Sequence, residues 1–114
     1  MSALLNGRQF QLWEYRVSHG SLLIRSPAGP ETNTSIDIVC VGVEYIAAPR
    51  HLGEVRLSEV TQLELKHLSI ILRKELTQSH VWVLEGSWGR CLLVAASIKI
   101  QEHRGDIFDS PFVG

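Results

Sequence analysis

Apolar and polar residues alternate through residues 13–18, and apolar positions return after His19-Gly20, within the run LWEYRVSHGSLLIRSP of residues 12–27. A period of two is the signature of a half-buried strand, and a glycine between two such runs marks a tight turn. The pattern therefore predicts a β-hairpin turning at His19-Gly20. That turn sets Ser18 opposite Ser21, Val17 opposite Leu22, Tyr15 opposite Ile24 and Trp13 opposite Ser26. Trp13, Tyr15, Val17, Leu22 and Ile24 then share the expected core face. On the other face Glu14 lies opposite Arg25, an opposite-charge pair that supports this register.

A polar loop with Gly29-Pro30 follows. Residues 35–46, SIDIVCVGVEYI, alternate at first and then become almost continuously apolar, as a strand covered on both faces does. Gly42 inside the run predicts a bulge, a twist or a close backbone approach. Residues 47–53 read as a connection closed by Pro49 and Gly53, and residues 54–58 as a short strand. Thr61 and Glu64 then stand at capping-box spacing, with Val60 and Leu65 placed as a hydrophobic staple. Leu65, Leu68, Ile71, Leu72 and Leu76 form one helical stripe, with Arg73 and Lys74 near the negative helix end. A helix over residues 62–76 is expected. A second hairpin, residues 81–85 with 90–101, turns around Gly86-Ser87-Trp88-Gly89, and loops of two, three or four residues all fit it.

Together these elements predict an α+β fold: a mainly antiparallel sheet of about six strands, open or curled into a partly open barrel, with one helix packed on it. The strand–helix–strand unit allows a right-handed crossover between parallel strands. A length of 114 residues suits one domain with its own core. Residues 105–114, GDIFDSPFVG, are too short to fold alone. They carry Ile107, Phe108, Phe112 and Val113, so the tail is expected to dock on a groove of this domain or of a second copy and to close a sheet edge.

Composition narrows the function more than it identifies it. The chain is 45% hydrophobic and 20% charged, with eleven basic and twelve acidic residues and a net charge of −1. That balance disfavours a dedicated nucleic-acid binder, which concentrates cations at phosphates. A local surface of Arg16, Arg25 and Arg90 with aromatic neighbours would be needed instead. No apolar run reaches the length of a signal-peptide core or a membrane span, and Cys40 and Cys91 sit in strand-like runs as buried free thiols. A cytoplasmic protein that does not enter membranes is expected.

His19, His51, His67, His80 and His103 have no metal-ligand spacing, and the cysteines lack CxxC partners. No nucleophile motif is present. The Gly86–Gly89 turn lacks the lysine and the following helix of a phosphate-binding loop. Glu14, Asp37, Glu44 and Glu85 alternate with apolar residues on strands, and any two of them could converge as an acid/base pair. Solvated strand faces explain them more simply. Trp88, at a turn tip where burial is hard to arrange, is a candidate partner contact, as are Ile107, Phe108 and Phe112.

Residues 12–27 and 37–45, with the closing 106–110 (DIFDS), resemble a group of short uncharacterised bacterial proteins. The resemblance covers most of the chain and implies a bacterial, single-domain, stand-alone protein. It transfers no catalytic or binding residue. The expectation is a small non-catalytic protein acting through a protein partner or a second copy of itself, without cofactor or metal. The alternatives are a small enzyme or ligand-binding protein with its site in a curled-sheet cavity, then nucleic-acid binding through the arginine and aromatic patch.

Overall fold

The computed structural model describes residues 3–29, 32–105 and 109–112. Among them, nine strands and one α-helix form an α+β fold of two antiparallel sheets, neither closed into a barrel. The first sheet holds β1 (Phe10–Arg16), β2 (Ser21–Ser26), β3 (Ser35–Val41), β5 (His51–Gly53) and β9 (Ser97–His103), in the order β5-β1-β2-β3-β9. The second holds β4 (Tyr45–Ala47), β6 (Arg56–Ser58), β7 (Val81–Gly86) and β8 (Gly89–Val94), in the order β4-β8-β7-β6. Helix α1 (Gln62–Leu72) covers the outer face of the second sheet.

Nine strands in place of six arise because two long apolar runs break and change sheets and the connection over residues 47–53 holds a strand of its own. Residues 35–46 divide at Gly42, whose φ of 67° lies in the left-handed region and whose added Cβ would stand 2.9 Å from the Ala96 Cβ. The close approach is real, and it makes a corner: β3 stays in the first sheet while β4 pairs with β8 in the second. The run after Arg90 breaks likewise at Ala95-Ala96, sending β9 back beside β3. The connection over residues 47–53 contains β5, and β6 pairs antiparallel with β7, so no parallel crossover forms.

The first hairpin exists, with a different register. Val17–His19 forms a 3-10 turn, and Gly20 at φ 59° closes it by donating its N–H to the Val17 carbonyl at 3.2 Å. The longer loop pairs Arg16 with Ser21, Tyr15 with Leu22 and Glu14 with Leu23. A bulge at Trp13 then pairs Leu12 with Ile24 and Gln11 with Arg25. Neither Ser18–Ser21 nor Glu14–Arg25 is a cross-strand pair. Val17 and Tyr15 slide past the end of the core and are 76% and 49% exposed, while Trp13 turns to the outer face. Phe10 and Leu12 take the core positions instead. A bulge reverses the facing of every residue beyond it, which alternation alone does not register.

Leu22, Ile24, Ile36, Ile38 and Cys40 of the first sheet meet Leu84, Cys91 and Leu93 of the second, with Leu5 and Phe10 completing this core. A second cluster lies under α1, where Leu68, Leu76, Val81 and Val94 are buried and Val60, Leu65, Leu72 and Leu92 pack around them. Both capping-box bonds are present: the Glu64 N–H donates to Thr61 Oγ1 at 3.1 Å, and the Thr61 N–H to Glu64 Oε1 at 2.9 Å. The helix ends at Leu72, one turn short of the expected Leu76, with Arg73 left-handed at φ 54°. Ser69 Oγ donates to the Leu65 carbonyl at 2.8 Å and accepts the Leu76 N–H at 3.2 Å. Leu76 is thereby folded back into the stripe after the helix has stopped, whereas Ile71 is 43% exposed. The second hairpin takes the two-residue loop, pairing Gly86 with Gly89. Among the described residues no helix is long and apolar enough to cross a membrane.

Candidate functional site

The two outer faces carry the polar chemistry of the molecule. On the first sheet, β2 and β3 place Arg25 directly opposite Asp37. Arg25 Nε donates to Asp37 Oδ1 at 2.7 Å and Nη2 to Oδ2 at 3.0 Å, with both side chains only 1% exposed. The Trp13 ring lies over the guanidinium, 5.5 Å from Cζ. From β9, His103 Nε2 approaches Asp37 Oδ2 to 3.2 Å, near enough for charge attraction when protonated but without a hydrogen bond among the described residues. His103 Nδ1 accepts the Gly105 N–H at 3.2 Å, which leaves the proton of the neutral ring on Nε2. The fork is charge-assisted and bidentate, the strongest geometry for such a pair, and it holds β2 to β3.

The described tail residues reach the same face at β1. Ser110 Oγ donates to Glu14 Oε1 at 2.7 Å, and Arg16 Cζ lies 5.6 Å from the centre of the half-buried Phe112 ring. Glu14 also accepts from Arg16 Nε at 2.9 Å. The Ser110 bond and then the Arg16 bond hold the Glu14 carboxyl below its usual range, against a smaller opposing effect of burial. These contacts fall on the part of β1 beyond Phe10 and Gln11, where β5 no longer pairs with it. Ile107, Phe108 and Val113 lie outside the described residues.

On the second sheet, Arg90 ties the helix start to the strands. Its Nε and Nη2 donate to Glu64 at 2.8 and 2.9 Å, Nη1 to Glu85 Oε2 at 3.2 Å and Nη2 to the Glu59 carbonyl at 2.6 Å. Arg56 holds the other Glu85 oxygen at 2.7 Å. These bonds lower the Glu64 and Glu85 carboxyls, Glu64 chiefly through Arg90 and Glu85 chiefly through Arg56. Beside the network, Leu63, Glu64, Lys66, His67 and Ile70 of α1 border a groove of about 540 Å³ that also meets Leu92 of β8. Leu63 is 78% and Ile70 67% exposed. Aliphatic side chains so exposed on an 11-residue helix give the groove an apolar border.

A third feature is a cleft of about 650 Å³ at one end of the two sheets, bordered by Asn6, Gln9, Glu54, Arg56, Glu85 and Ser87 among others. Its size is that of small-molecule pockets, roughly 300–1,000 Å³.

The paired carboxylates of an acid/base site do not assemble. Asp37 is held by Arg25, Glu85 by Arg56 and Arg90, Glu44 by Lys74 at 2.6 Å, and Glu14 by Arg16 and Ser110. Cys40 and Cys91 are free and buried in the core. Burial pushes their thiols up to about 12 and about 11, with Cys91 adding to the rise at Cys40, so both stay protonated at neutral pH. Among the described residues no group of three or more His, Cys, Asp and Glu could hold a metal ion. Arg16, Arg25 and Arg90 make no common surface: Arg25 is buried, and Arg90 stands on the other sheet. Trp88 is 39% exposed, and its Nε1 donates to the Leu52 carbonyl at 2.5 Å, joining the second hairpin to β5. Leu63, Lys66, Ile70 and Leu92 were not singled out by the sequence pattern. Their signal was there, since Leu63 and Ile70 are apolar residues seven apart and off the core stripe. No family model, curated protein or solved structure matches the chain.

Proposed function

We propose that this protein is a non-catalytic binding module that docks a protein partner on the groove of α1. The observation that carries this reading is the exposure of Leu63 and Ile70 beside Leu92. Desolvating such side chains is the main source of affinity in protein association, and a rim of Glu64, Lys66 and His67 supplies the polar border that interfaces have. The inert thiols and separately neutralised carboxylates are consistent with a module that does no chemistry.

The test is capture from the native host on immobilised wild-type protein and on a Leu63→Asp/Ile70→Asp variant, both confirmed folded by circular dichroism. A retained protein that binds again when purified, and loses at least about tenfold in affinity with the variant, supports the reading. Retention of the same proteins by both forms overturns it.

The polar cleft favours a second reading, a small polar ligand held near Asn6, Gln9 and Glu54. Its Arg56 and Glu85 already bind each other, which leaves fewer groups to orient a ligand. A ligand that shifts the amide resonances of residues 6–9 and 53–56 and leaves α1 unmoved would establish this reading over the first.

A further inference from the structure

We infer that β9 is a self-association edge, on which a second copy of this chain adds its own β9 in antiparallel register. The edges of the two sheets are unequal. Three of them are strands of only three residues, β4, β5 and β6. Short edge strands are one of the ordinary protections against unwanted pairing, because they offer too few free backbone groups to hold another chain. The fourth edge is β9, seven residues long, paired along its whole length with β3 without a register shift and carrying no proline. Among the described residues no strand pairs with its other side. The described tail residues Ser110 and Phe112 reach Glu14 and Arg16 on β1.

The side chains of β9 select the occupant. A two-fold axis perpendicular to the sheet keeps inner faces together, so residues of equal parity must meet. Full overlap of SIKIQEH with itself centres the axis on Ile100. Ile100 then meets Ile100 of the second copy, Lys99 meets Gln101, Ser97 meets His103 and Ile98 meets Glu102. No like charges stand opposite one another. Shifting the axis by one residue leaves only five of the seven residues overlapped and sets Lys99 against Lys99 in one direction or against His103 in the other, so both alternatives are poorer. The lysine that would guard an edge against arbitrary strands here specifies one register with itself. The product is a continuous sheet of ten strands, five from each copy. This surface is separate from the α1 groove and does not depend on it.

Sedimentation analysis over a wide concentration range should show a reversible monomer–dimer equilibrium, with amide exchange of Ser97–His103 slowing as concentration rises. Gln101→Lys sets a cation opposite Lys99 of the second copy twice per dimer and should weaken association about tenfold. Within its own chain position 101 lies opposite Asp37, so the added cation is tolerated, and circular dichroism should be unchanged. Adding Lys99→Glu to Gln101→Lys makes both contacts attractive and should restore dimerisation. A monomer at every concentration overturns the inference, as does a dimer indifferent to Gln101→Lys or one not restored by the double variant. Leu63→Asp/Ile70→Asp should leave the equilibrium unchanged. If it abolishes the dimer, the copies meet through α1 and the β9 inference fails.

Discussion

The outer faces of the two sheets are covered by opposite means. The second sheet lies under an amphipathic helix whose Leu65, Leu68 and Leu72 meet Val81, Val94 and Leu92, apolar against apolar. The first sheet carries a buried ion pair, Arg25–Asp37, roofed by Trp13 and flanked at β1 by the tail. An apolar cover gains stability from desolvation and tolerates some misfit. A buried ion pair gains little net stability, because desolvation of both charges offsets their attraction, yet it tolerates no loss of one partner. The first face is thus the more specific and the more fragile, the second the more forgiving.

The largest effect should come from breaking the ion pair. Asp37→Ala leaves the Arg25 guanidinium buried without its carboxylate and should cost about 3–5 kcal/mol in chemical denaturation. The double variant Arg25→Met/Asp37→Leu should cost less than that single change. If it costs more, the pair itself stabilises the fold and the contrast between the faces is wrong. On the helical side, Leu68→Ala should cost about 2–4 kcal/mol, and Ile70→Ala no more than about 0.5 kcal/mol, because only Leu68 is buried. Equal losses at the two positions would show α1 rotated from its described seating.

Thr61→Ala removes one capping bond and should cost about 1 kcal/mol, read as a lower unfolding midpoint at constant slope. The same helix start should carry an acid-side pH dependence. The Glu64 carboxyl is held below its ordinary value, chiefly by the Arg90 bonds. Its contribution is therefore complete above the ordinary carboxylate value of 4.5 and is lost as pH falls through the lower folded value. Glu64→Gln should flatten the decline of stability below that pH and leave the slope near neutrality unaltered. A small effect belongs to the tail: Ser110→Ala deletes an exposed bond to Glu14 and should cost at most about 0.5 kcal/mol. A larger loss would make the tail a principal cover of the first sheet.

What could be read from the sequence alone was whatever depends on near neighbours in the chain. The capping box of Thr61 and Glu64, the start of α1 at Gln62, the alternating strands and the antiparallel α+β class rest on contacts a few residues apart, or on a period that one segment displays by itself. The apolar pair Leu63 and Ile70 was visible in the same way, although only the packing of Leu68 against the second sheet showed which side of the helix was left over.

Tertiary structure decided what depends on counting residues across a gap. A turn lengthened by a 3-10 segment and a bulge at Trp13 moved Arg25 from Glu14 to Asp37, twelve residues further along the chain. Local alternation is blind to such shifts, because each strand keeps its pattern whichever neighbour it pairs with. The breaks at Gly42 and Ala95-Ala96 converted two long apolar runs into strands of different sheets, since a run apolar on both faces suits either one. Helix α1 stopped at Leu72 because Ser69 could hold Leu76 in the stripe without further helix, a hydrogen bond that periodicity does not encode. The edge position of β9 belongs to the same class: a strand does not carry in its own sequence whether a second strand lies beside it, and only the assembled sheet leaves β9 without one among the described residues.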